Sequence, residues 1–281
     1  MSHYSNASIL ESLTLGKSTE YKSTYSPDLL QGVPRTLNRD QLEINADSLP
    51  FLGEDVWYGY EVSWLNSKGK PIVAVAEFRF PCTSPNIIES KSFKLYLNSF
   101  NQSKFDTIDA VQAIMSKDLS HIAGEKSRVC LHPVDKFDAI ETRMLPGECI
   151  DDIDVTIEHY DLKPELLKCI EDNKIVDETL HSHLLKSNCL ITNQPDWASV
   201  VIEYQGKAID KASLLKYLVS FRQHNEFHEQ CVERIYADIM KICAPTKLTV
   251  YARYTRRGGL DINPFRSTHL EVLPNYRTHR Q

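Results

Sequence analysis

Two halves of this 281-residue chain carry the same order of strand-like and helix-like segments, and this repeat restricts the fold more than any other feature. Strands are predicted where apolar residues alternate, and helices where they recur every three or four residues. In the first half the segments are strands at 56–64 and 72–80, helices at 89–101 and 108–122, and strands near 127–134 and 152–159. In the second half they are strands near 184–192 and 197–204, helices beginning at Asp210 and near Asn225, and strands at 248–256 and from Leu260. This order, without strand–helix alternation, predicts an α+β fold of antiparallel sheets with helices packed on one face.

The helix predicted at 89–101 begins with three polar residues, Glu89, Ser90 and Lys91. Its apolar residues recur at helical spacing from Phe93 to Phe100 and predict one buried face. The first amides of a helix lack partners within the helix, and the helix dipole favours anions there. The polar triplet therefore fits either a helix cap or a site for a polar ligand and a phosphate.

Composition narrows the class of partner and the compartment. With 32 Lys and Arg against 38 Asp and Glu, the net charge of −6 gives no general attraction to nucleic acid or to anionic membranes. No apolar run is long enough for a spanning helix, and residues 1–10 lack a signal-peptide pattern. The seven cysteines are odd in number and scattered, without CxxC or Cys–His ligand spacing, so we expect free thiols and no metal site. These features predict a cytoplasmic protein with small-molecule or protein partners.

Residues 1–50 are polar and contain Pro27, Pro34 and Pro50. Proline and polar residues without periodicity are typical of irregular structure. We therefore expect an N-terminal arm that is loosely structured and carries little chemistry.

Cys189 is the best candidate nucleophile among the cysteines. The predicted turn Asn193–Asp196 follows its strand directly and places a carboxylate close to the thiol. A thiol reacts as its thiolate, and a neighbouring carboxylate or histidine can take its proton. An inert buried cysteine beside an ordinary turn is the alternative, and by pattern alone it is the commoner case.

His228 and Glu229 stand in the first turn of the next helix, the kind of position that the polar triplet occupies in the first half. A carboxylate there can accept paired N–H bonds from a heterocycle, while an imidazole transfers protons. A capping pair on a solvated helix is the alternative. The remaining histidines, including His181 and His183, have no metal-ligand spacing.

Arg253, Arg256 and Arg257 lead into a turn at Gly258 and Gly259, where the backbone can approach phosphate groups closely. This suits the phosphates of a dinucleotide, although an ordinary hairpin with exposed arginines fits equally well. No GxGxxG follows a strand, which disfavours a Rossmann cofactor site.

Four blocks of the sequence together resemble one known family. They are ESKSFKLY at 89–96, SNCLITNQPDW around Cys189 and Asp196, FHEQC around His228 and Glu229, and RRGGLDINPFRS from Arg256. The chain resembles the NADPH-dependent 7-cyano-7-deazaguanine reductases of queuosine biosynthesis in their long form, over about residues 50–270. That form has two tunnelling-fold modules in one chain, which implies an arm at 1–50, a first module at 51–160 and a second at 161–281.

The resemblance implies reduction of a nitrile to a primary amine at the expense of two NADPH. Cys189 would attack the nitrile carbon to give a covalent thioimide, Asp196 would donate a proton to the nitrogen, and His228 would assist proton transfer. Because the intermediate is covalent and kept from water, it does not hydrolyse.

The same resemblance implies the binding residues and the assembly. The substrate would be held by Ile88, Glu89, Ser90, His228 and Glu229, and NADPH by Ser90, Lys91, Arg257 and Gly258. The family also pairs its modules between subunits, which implies a homodimer with no direct contact to nucleic acid or membrane.

Three other functions remain open at this stage. The first is a cysteine hydrolase or transferase acting on a purine-like substrate through Cys189 and His228. The second is a zinc-dependent pterin-forming relative of the same fold, and the third is a purine-binding module without catalysis.

Overall fold

The computed structural model describes residues 21–137, 141–171, 174–269 and 276–281. The strands are β1 Gly32–Pro34, β2 Leu52–Leu65, β3 Pro71–Pro81, β4 Asn86–Ile88, β5 Arg128–Pro133, β6 Glu141–Thr142, β7 Glu148–Cys149, β8 Ile175–Asn188, β9 Pro195–Lys207, β10 Lys247–Tyr254, β11 Leu260–Ser267 and β12 Tyr276–Arg277. The helices are α1 Thr36–Arg39, α2 Ser90–Ser99, α3 Ile108–Ala123, α4 Lys211–Ser220 and α5 His228–Cys243. Short 3-10 turns lie at Pro27–Leu29, Val134–Lys136, Pro164–Leu166 and Phe221–Gln223. No helix of these described ranges is long and apolar enough to cross a membrane.

One eight-stranded sheet joins the two halves of the chain, in the order β5-β3-β2-β11-β10-β9-β8-β7. Its neighbouring strands are antiparallel except for β7 and β8, which run parallel. At the centre, β11 from the second half pairs with β2 from the first, so that Ile262 lies opposite Trp57. The last long strand of one half therefore completes the sheet of the other.

The two halves have separate apolar cores on the same face of this sheet. One core combines α2 and α3 with β2 and β3, and the other combines α4 and α5 with β8, β9 and β10. Val250 of β10 pairs with Arg266 of β11, and paired residues point to the same face of the sheet. Alternation along β10 then puts Tyr254 of the second core on that face, and alternation along β11 puts Ile262 of the first core there too. The α+β class, with a largely antiparallel sheet and two pairs of longer helices, is confirmed.

Local capping explains where the helices begin and end. The Thr107 hydroxyl accepts a hydrogen bond from the Ala110 N–H, 3.1 Å away, and α3 ends at Gly124 with a φ of 78°. Asp210 accepts from the Ser213 N–H at 2.7 Å and starts α4, as its position in the sequence predicts. Gly258 and Gly259 both have positive φ, 61° and 78°, and form the predicted turn between β10 and β11.

Two sequence predictions of strands are wrong. Residues 152–159 form no strand, although Ile153 and Val155 alternate with polar residues. These two side chains are partly buried against the second core. The alternation therefore reflects a segment that buries one side without pairing with another strand. The strand predicted near 184–192 instead runs from Ile175 to Asn188, because its first residues lie within a charged stretch that hides the alternation.

The expectation of a loosely structured arm is wrong for residues 21–50, whereas residues 1–20 lie outside the described residues. In this segment β1 pairs with β4, with Val33 opposite Ile87. Arg35 and Arg39 are buried, and Arg39 donates to Glu233 of α5 at 2.7 Å. The segment therefore packs against both halves.

Candidate active site

A cavity of about 520 Å³ lies where the two halves meet. The first half contributes Trp57, Ile88, Ser90 and Lys94, and the second contributes Cys189, Asp196, Glu226, Phe227, His228, Glu229, Thr255, Arg257, Leu260 and Ile262. Its lining combines apolar side chains with a few convergent polar and charged ones, as in sites for small organic ligands. Ten distinct residues were predicted from the sequence for catalysis, substrate or cofactor, and seven of them line this cavity: Ile88, Ser90, Cys189, Asp196, His228, Glu229 and Arg257.

Cys189 stands at the end of β8, in the loop that leads into β9. Its N–H donates to the Gln194 carbonyl at 2.8 Å, and its carbonyl accepts from the Asn193 N–H at 3.0 Å. Asn193 has a φ of 55°, a left-handed conformation that asparagine tolerates well. These bonds close the loop and fix the backbone of a cysteine that is 7% exposed.

Further bonds tie this strand end to the segment that precedes α5. The Asn188 N–H donates to the His224 carbonyl at 2.8 Å, and the Glu226 N–H donates to the Asn188 carbonyl at 3.1 Å. The Asn225 side-chain amide donates to the Cys189 carbonyl at 3.2 Å. Cys189 is thereby held beside the start of the helix that carries His228 and Glu229.

Asp196 is the second residue of β9 and faces the guanidinium of Arg257 and the imidazole of His228. Arg257 donates to its Oδ1, and His228 Nε2 lies 3.4 Å from the same oxygen. Burial alone would raise the pKa of Asp196, but His228, Arg257 and Lys94 hold the pKa below its ordinary value. Asp196 is therefore a carboxylate near neutral pH, so it must accept a proton before it can donate one.

His228 is the first residue of α5. Its ring packs on Tyr254, with the ring centroids 4.0 Å apart, and this contact sets the direction of the imidazole. The ring nitrogen that faces Asp196 can pass a proton to it or stabilise its charge.

Glu229 follows in the first turn of α5 and is 3% exposed. Burial, together with the charge of Asp55, raises the pKa of Glu229 to about 7, while His228 and Arg35 act in the opposite direction. The side chain therefore exchanges between acid and carboxylate near neutral pH, and a ligand that donates N–H bonds favours the carboxylate.

A buried ionic cluster lies behind Glu229. Arg266 donates to Asp55 at 2.9 Å and to Glu233 at 2.8 Å, and Arg35 also donates to Asp55. All of these groups are at most 3% exposed. The cluster joins β2, β11, α5 and the N-terminal segment at the wall of the cavity.

Glu89, which was predicted to contact the substrate, caps α2 in this structure. Its two carboxylate oxygens accept from the Lys91 and Ser92 N–H groups, each at 2.7 Å, so Glu89 caps α2. Neither Glu89 nor Lys91 is among the described residues that line the cavity. Burial raises the pKa of Glu89, and the two amide bonds oppose this shift. This geometry supports the capping alternative, and a substrate contact through Glu89 stays a prediction.

Ile88 and Ser90 do line the cavity, and Lys94 joins them from the next turn of α2. The sequence analysis did not predict Lys94 as a site residue. Lys94 is four residues after Ser90 and therefore lies on the same side of α2. This spacing is the sequence signal that could have identified Lys94 as a site residue. Burial and the charge of Arg257 lower the pKa of Lys94.

Gly258 lies in a smaller groove of about 270 Å³ that shares Lys94 and Leu260 with the cavity. A Cβ on Gly258 would come within 3.0 Å of Lys94 Cδ, and the φ of 61° disfavours any other residue. Glycine thus keeps open a groove bordered by a lysine, which fits a phosphate-bearing cofactor. Glu61 also borders this groove.

Sequence reasoning missed several cavity residues. In the sequence, Trp57 is indistinguishable from an ordinary core residue of β2. Its indole Nε1 is buried without a hydrogen-bond partner in the described structure. Glu226 is fully buried, and it accepts from Arg234 at 2.6 Å and lies 3.0 Å from His224 Nε2. His224, Glu226 and His228 alternate along the chain, and this spacing was the only signal for Glu226.

Comparisons with known proteins agree on one family. A family model described as "Nitrile reductase, 7-cyano-7-deazaguanine-reductase N-term" matches residues 21–131, and one described as "QueF-like protein" matches residues 195–272. A protein of Colwellia psychrerythraea named NADPH-dependent 7-cyano-7-deazaguanine reductase is 62% identical over 286 residues, which cover 100% of each chain. The crystal structure of the archaeosine synthase QueF-Like in the apo form matches with a TM-score of 0.30 and 18% identity, over 34% of this chain and 96% of that one.

Proposed function

The chain belongs to the family of 7-cyano-7-deazaguanine reductases, and on this premise we propose that it reduces the nitrile of 7-cyano-7-deazaguanine to an aminomethyl group with NADPH. This reaction is a step of tRNA queuosine biosynthesis. One observation carries the proposal: Cys189, Asp196, His228 and Glu229 all face the same cavity. A nucleophile, a proton carrier and a carboxylate for a heterocycle are what the reaction needs.

The first step forms a bond between Cys189 Sγ and the nitrile carbon. The Cys189 thiol loses its proton to the Asp196 carboxylate as sulfur attacks, and the proton passes to the nitrile nitrogen. One S–C bond forms, the triple bond becomes a double bond, and nothing leaves. The product is a neutral thioimide, and Asp196 returns to its ionised form beside Arg257 and His228.

Reduction of the thioimide to the amine consumes two hydrides and two protons, and the C–S bond breaks so that Cys189 is regenerated as the thiol. When bound, NADPH supplies one hydride in each of two rounds. Ser90, Lys91, Arg257 and Gly258 would hold the cofactor, supported by the groove beside Gly258. Asp196 and His228 are placed to move the protons, because both lie on the side of the cavity that carries Cys189.

Substrate recognition falls mainly to Glu229. The guanine-like edge of the substrate carries adjacent N–H donors, which a carboxylate accepts as a pair. Bases without this donor pair would leave a buried carboxylate unsatisfied, and that loss provides specificity. Ile88 and Ser90 border the ring, and His228 lies on the side of the reacting carbon.

The assembly and compartment remain proposals. We propose a cytoplasmic homodimer without direct contact to nucleic acid, and a division into an arm at 1–50 and modules at 51–160 and 161–281. Seven free cysteines support a reducing compartment. Native mass spectrometry of the purified protein tests the dimer, since a single monomeric species would contradict it.

The activity is tested by incubating the purified protein with 7-cyano-7-deazaguanine and NADPH. Two NADPH should be oxidised for each aminomethyl product, as measured by absorbance and by mass spectrometry of the product. A cysteine hydrolase would instead release an amide or acid and leave NADPH unchanged. Loss of neither substrate nor NADPH would contradict the proposal.

A further inference from the structure

A cluster of metal-ligating side chains lies at the edge of the sheet, outside the cavity. It consists of Cys149 on β7 and of His181 and His183 on β8. The Cys149 sulfur and one ring nitrogen of each histidine all lie within 4.8 Å of one another. None of the three lines the cavity that contains Cys189.

The sheet itself brings these residues together. Cys149 is paired with His181 in the parallel ladder between β7 and β8, and paired residues point to the same face. His183 lies in the irregular part of β8 between Ser182 and Leu185, and its ring centroid is 5.3 Å from that of His181. The sequence gives no metal spacing because Cys149 and the histidines are far apart in the chain and meet only through this pairing.

Both histidines are oriented by hydrogen bonds at Nδ1. His181 Nδ1 lies 2.8 Å from the Pro146 carbonyl oxygen, which can only accept, so this nitrogen carries the proton. His183 Nδ1 lies 2.8 Å from the Ser199 hydroxyl. In both histidines Nε2 is therefore the nitrogen that can bind a metal. In histidines that bind metals, the other ring nitrogen is typically hydrogen-bonded to a group such as a carbonyl.

The backbone that carries the histidines is also held in place. Asp151 accepts from the His183 N–H at 2.9 Å and from the Ser182 hydroxyl at 2.6 Å. Arg280 donates to the His183 carbonyl at 2.9 Å. Cys149, in contrast, is exposed on a two-residue edge strand and can move toward the imidazoles.

We propose that Cys149, His181 and His183 bind one zinc ion, with water in the fourth position. One thiolate and two imidazoles form a donor set that suits zinc and excludes magnesium and calcium. Tetrahedral zinc needs these ligand atoms about 3.3–3.6 Å apart, so the three side chains, which here lie within 4.8 Å of one another, draw closer together on binding. The ion joins β7 to β8 and secures the edge of the sheet.

Zinc binding to chelator-treated protein tests the site by isothermal titration and elemental analysis. The wild type and Cys189→Ala should each bind one zinc per chain, because the second variant removes only the thiol in the cavity. Cys149→Ser should weaken binding by roughly 10–100-fold or more, and His183→Gln should weaken it similarly. Cys130→Ser is the matched control, since Cys130 is also an exposed strand cysteine, and it should bind as the wild type does.

Cobalt and thiol reactivity give readouts that do not depend on reductase activity. Cobalt should produce a sulfur-to-metal charge-transfer band that disappears in Cys149→Ser. Zinc should slow alkylation of Cys149 but not of Cys130, as followed by peptide mass spectrometry. Equal zinc binding by the wild type and Cys149→Ser, or loss of binding only in Cys189→Ala, would overturn the proposal even in an active enzyme. Circular dichroism of each variant separates lost binding from lost folding.

Discussion

The starts of α2 and α5 make an informative comparison, because each carries a buried glutamate, Glu89 directly before α2 and Glu229 within the first turn of α5. Glu89 turns back and gives both oxygens to the amides of its own helix. At α5 the residue before the helix is Phe227, whose side chain cannot cap, and its N–H donates to Gln230 Oε1 at 3.2 Å. Glu229 remains at the cavity, where its pKa is raised to about 7.

The comparison shows that a shift of one or two residues at a helix start changes which groups a carboxylate can contact. A side chain directly before the helix reaches the free amides, whereas one inside the first turn points outward from them. The first half thus supplies a rigid helix start that presents Ser90 and Lys94, and the second half supplies the reacting groups. The repeat in the sequence conceals this division of roles.

Asp196→Asn should have the largest effect among variants that keep the cysteine. The amide cannot accept the thiol proton, so we expect kcat to fall about 10²–10⁴-fold while the substrate Kd changes little. Single-turnover kinetics and titration calorimetry measure the two quantities. Asp109→Asn, at an exposed helix start in the first half, is the control and should leave both unchanged. A kcat near the wild-type value for Asp196→Asn would place proton transfer elsewhere.

Arg266→Met tests the ionic cluster that supports the α5 side of the comparison. It removes the guanidinium that donates to both Asp55 and Glu233 and leaves these buried carboxylates with Arg35 and Arg39. We expect the free energy of unfolding to fall by about 3–5 kcal/mol. Arg128→Met removes an exposed ion pair with Glu54 and should cost less than about 1 kcal/mol. Denaturant unfolding curves decide the matter, and equal midpoints for the two variants would show that the cluster is not needed for stability.

The matched pair Glu229→Gln and Glu89→Gln tests the comparison itself. Glu229→Gln should weaken substrate binding by about 1–3 kcal/mol, because a paired acceptor is lost, while stability changes little. Glu89→Gln should lower stability by about 0.5–2 kcal/mol through loss of the cap, with the substrate Kd unchanged. Calorimetry and thermal unfolding of both variants give the four values. If Glu89→Gln weakens substrate binding as much as Glu229→Gln does, Glu89 contacts the substrate after all.

The pH dependence of substrate binding should be the smallest effect. Below a pKa of about 7, Glu229 is protonated and cannot accept the paired N–H bonds, so affinity is retained above this pH and lost as the pH falls through it. We expect Kd to rise about tenfold between pH 8 and pH 6. Glu229→Gln should remove this slope. A Kd that is independent of pH in the wild type would mean that Glu229 does not titrate in this range.

Much of the fold follows from local patterns, and the exceptions have physical causes. The hairpin of β2 and β3 was predictable from its two apolar runs and the turn between them, and the start of α4 because Asp210 is a strong cap. The irregularity between Gly59 and Val62, which changes the residues of β2 that face the core, was not predictable from period-two alternation. The prediction of a strand at residues 152–159 failed because alternation indicates which side of a segment is buried but not whether the segment pairs with another strand. The packed N-terminal segment was missed because its stability comes from Arg35 and Arg39, which find their carboxylates far along the chain.

The site could be predicted in part for a similar reason. Cys189 and Asp196 are joined by one short loop, and His228 and Glu229 are adjacent, so each pair is visible in the sequence. Their meeting depends on the bonds between Asn188 and residues 224–226, which no local pattern indicates. Lys94 and Trp57 belong to the other half and reach the cavity only through the pairing of β2 with β11.

The most direct test of covalent catalysis is the mass of the intact protein after incubation with 7-cyano-7-deazaguanine in the absence of NADPH. Because nothing leaves when the thiol adds to the nitrile, the protein should gain the full mass of one substrate molecule per chain, located on the peptide that contains Cys189. Cys189→Ala should show no gain, and Cys130→Ala should behave as the wild type. An adduct that persists in Cys189→Ala, or an enzyme that turns over without ever forming one, would contradict the account.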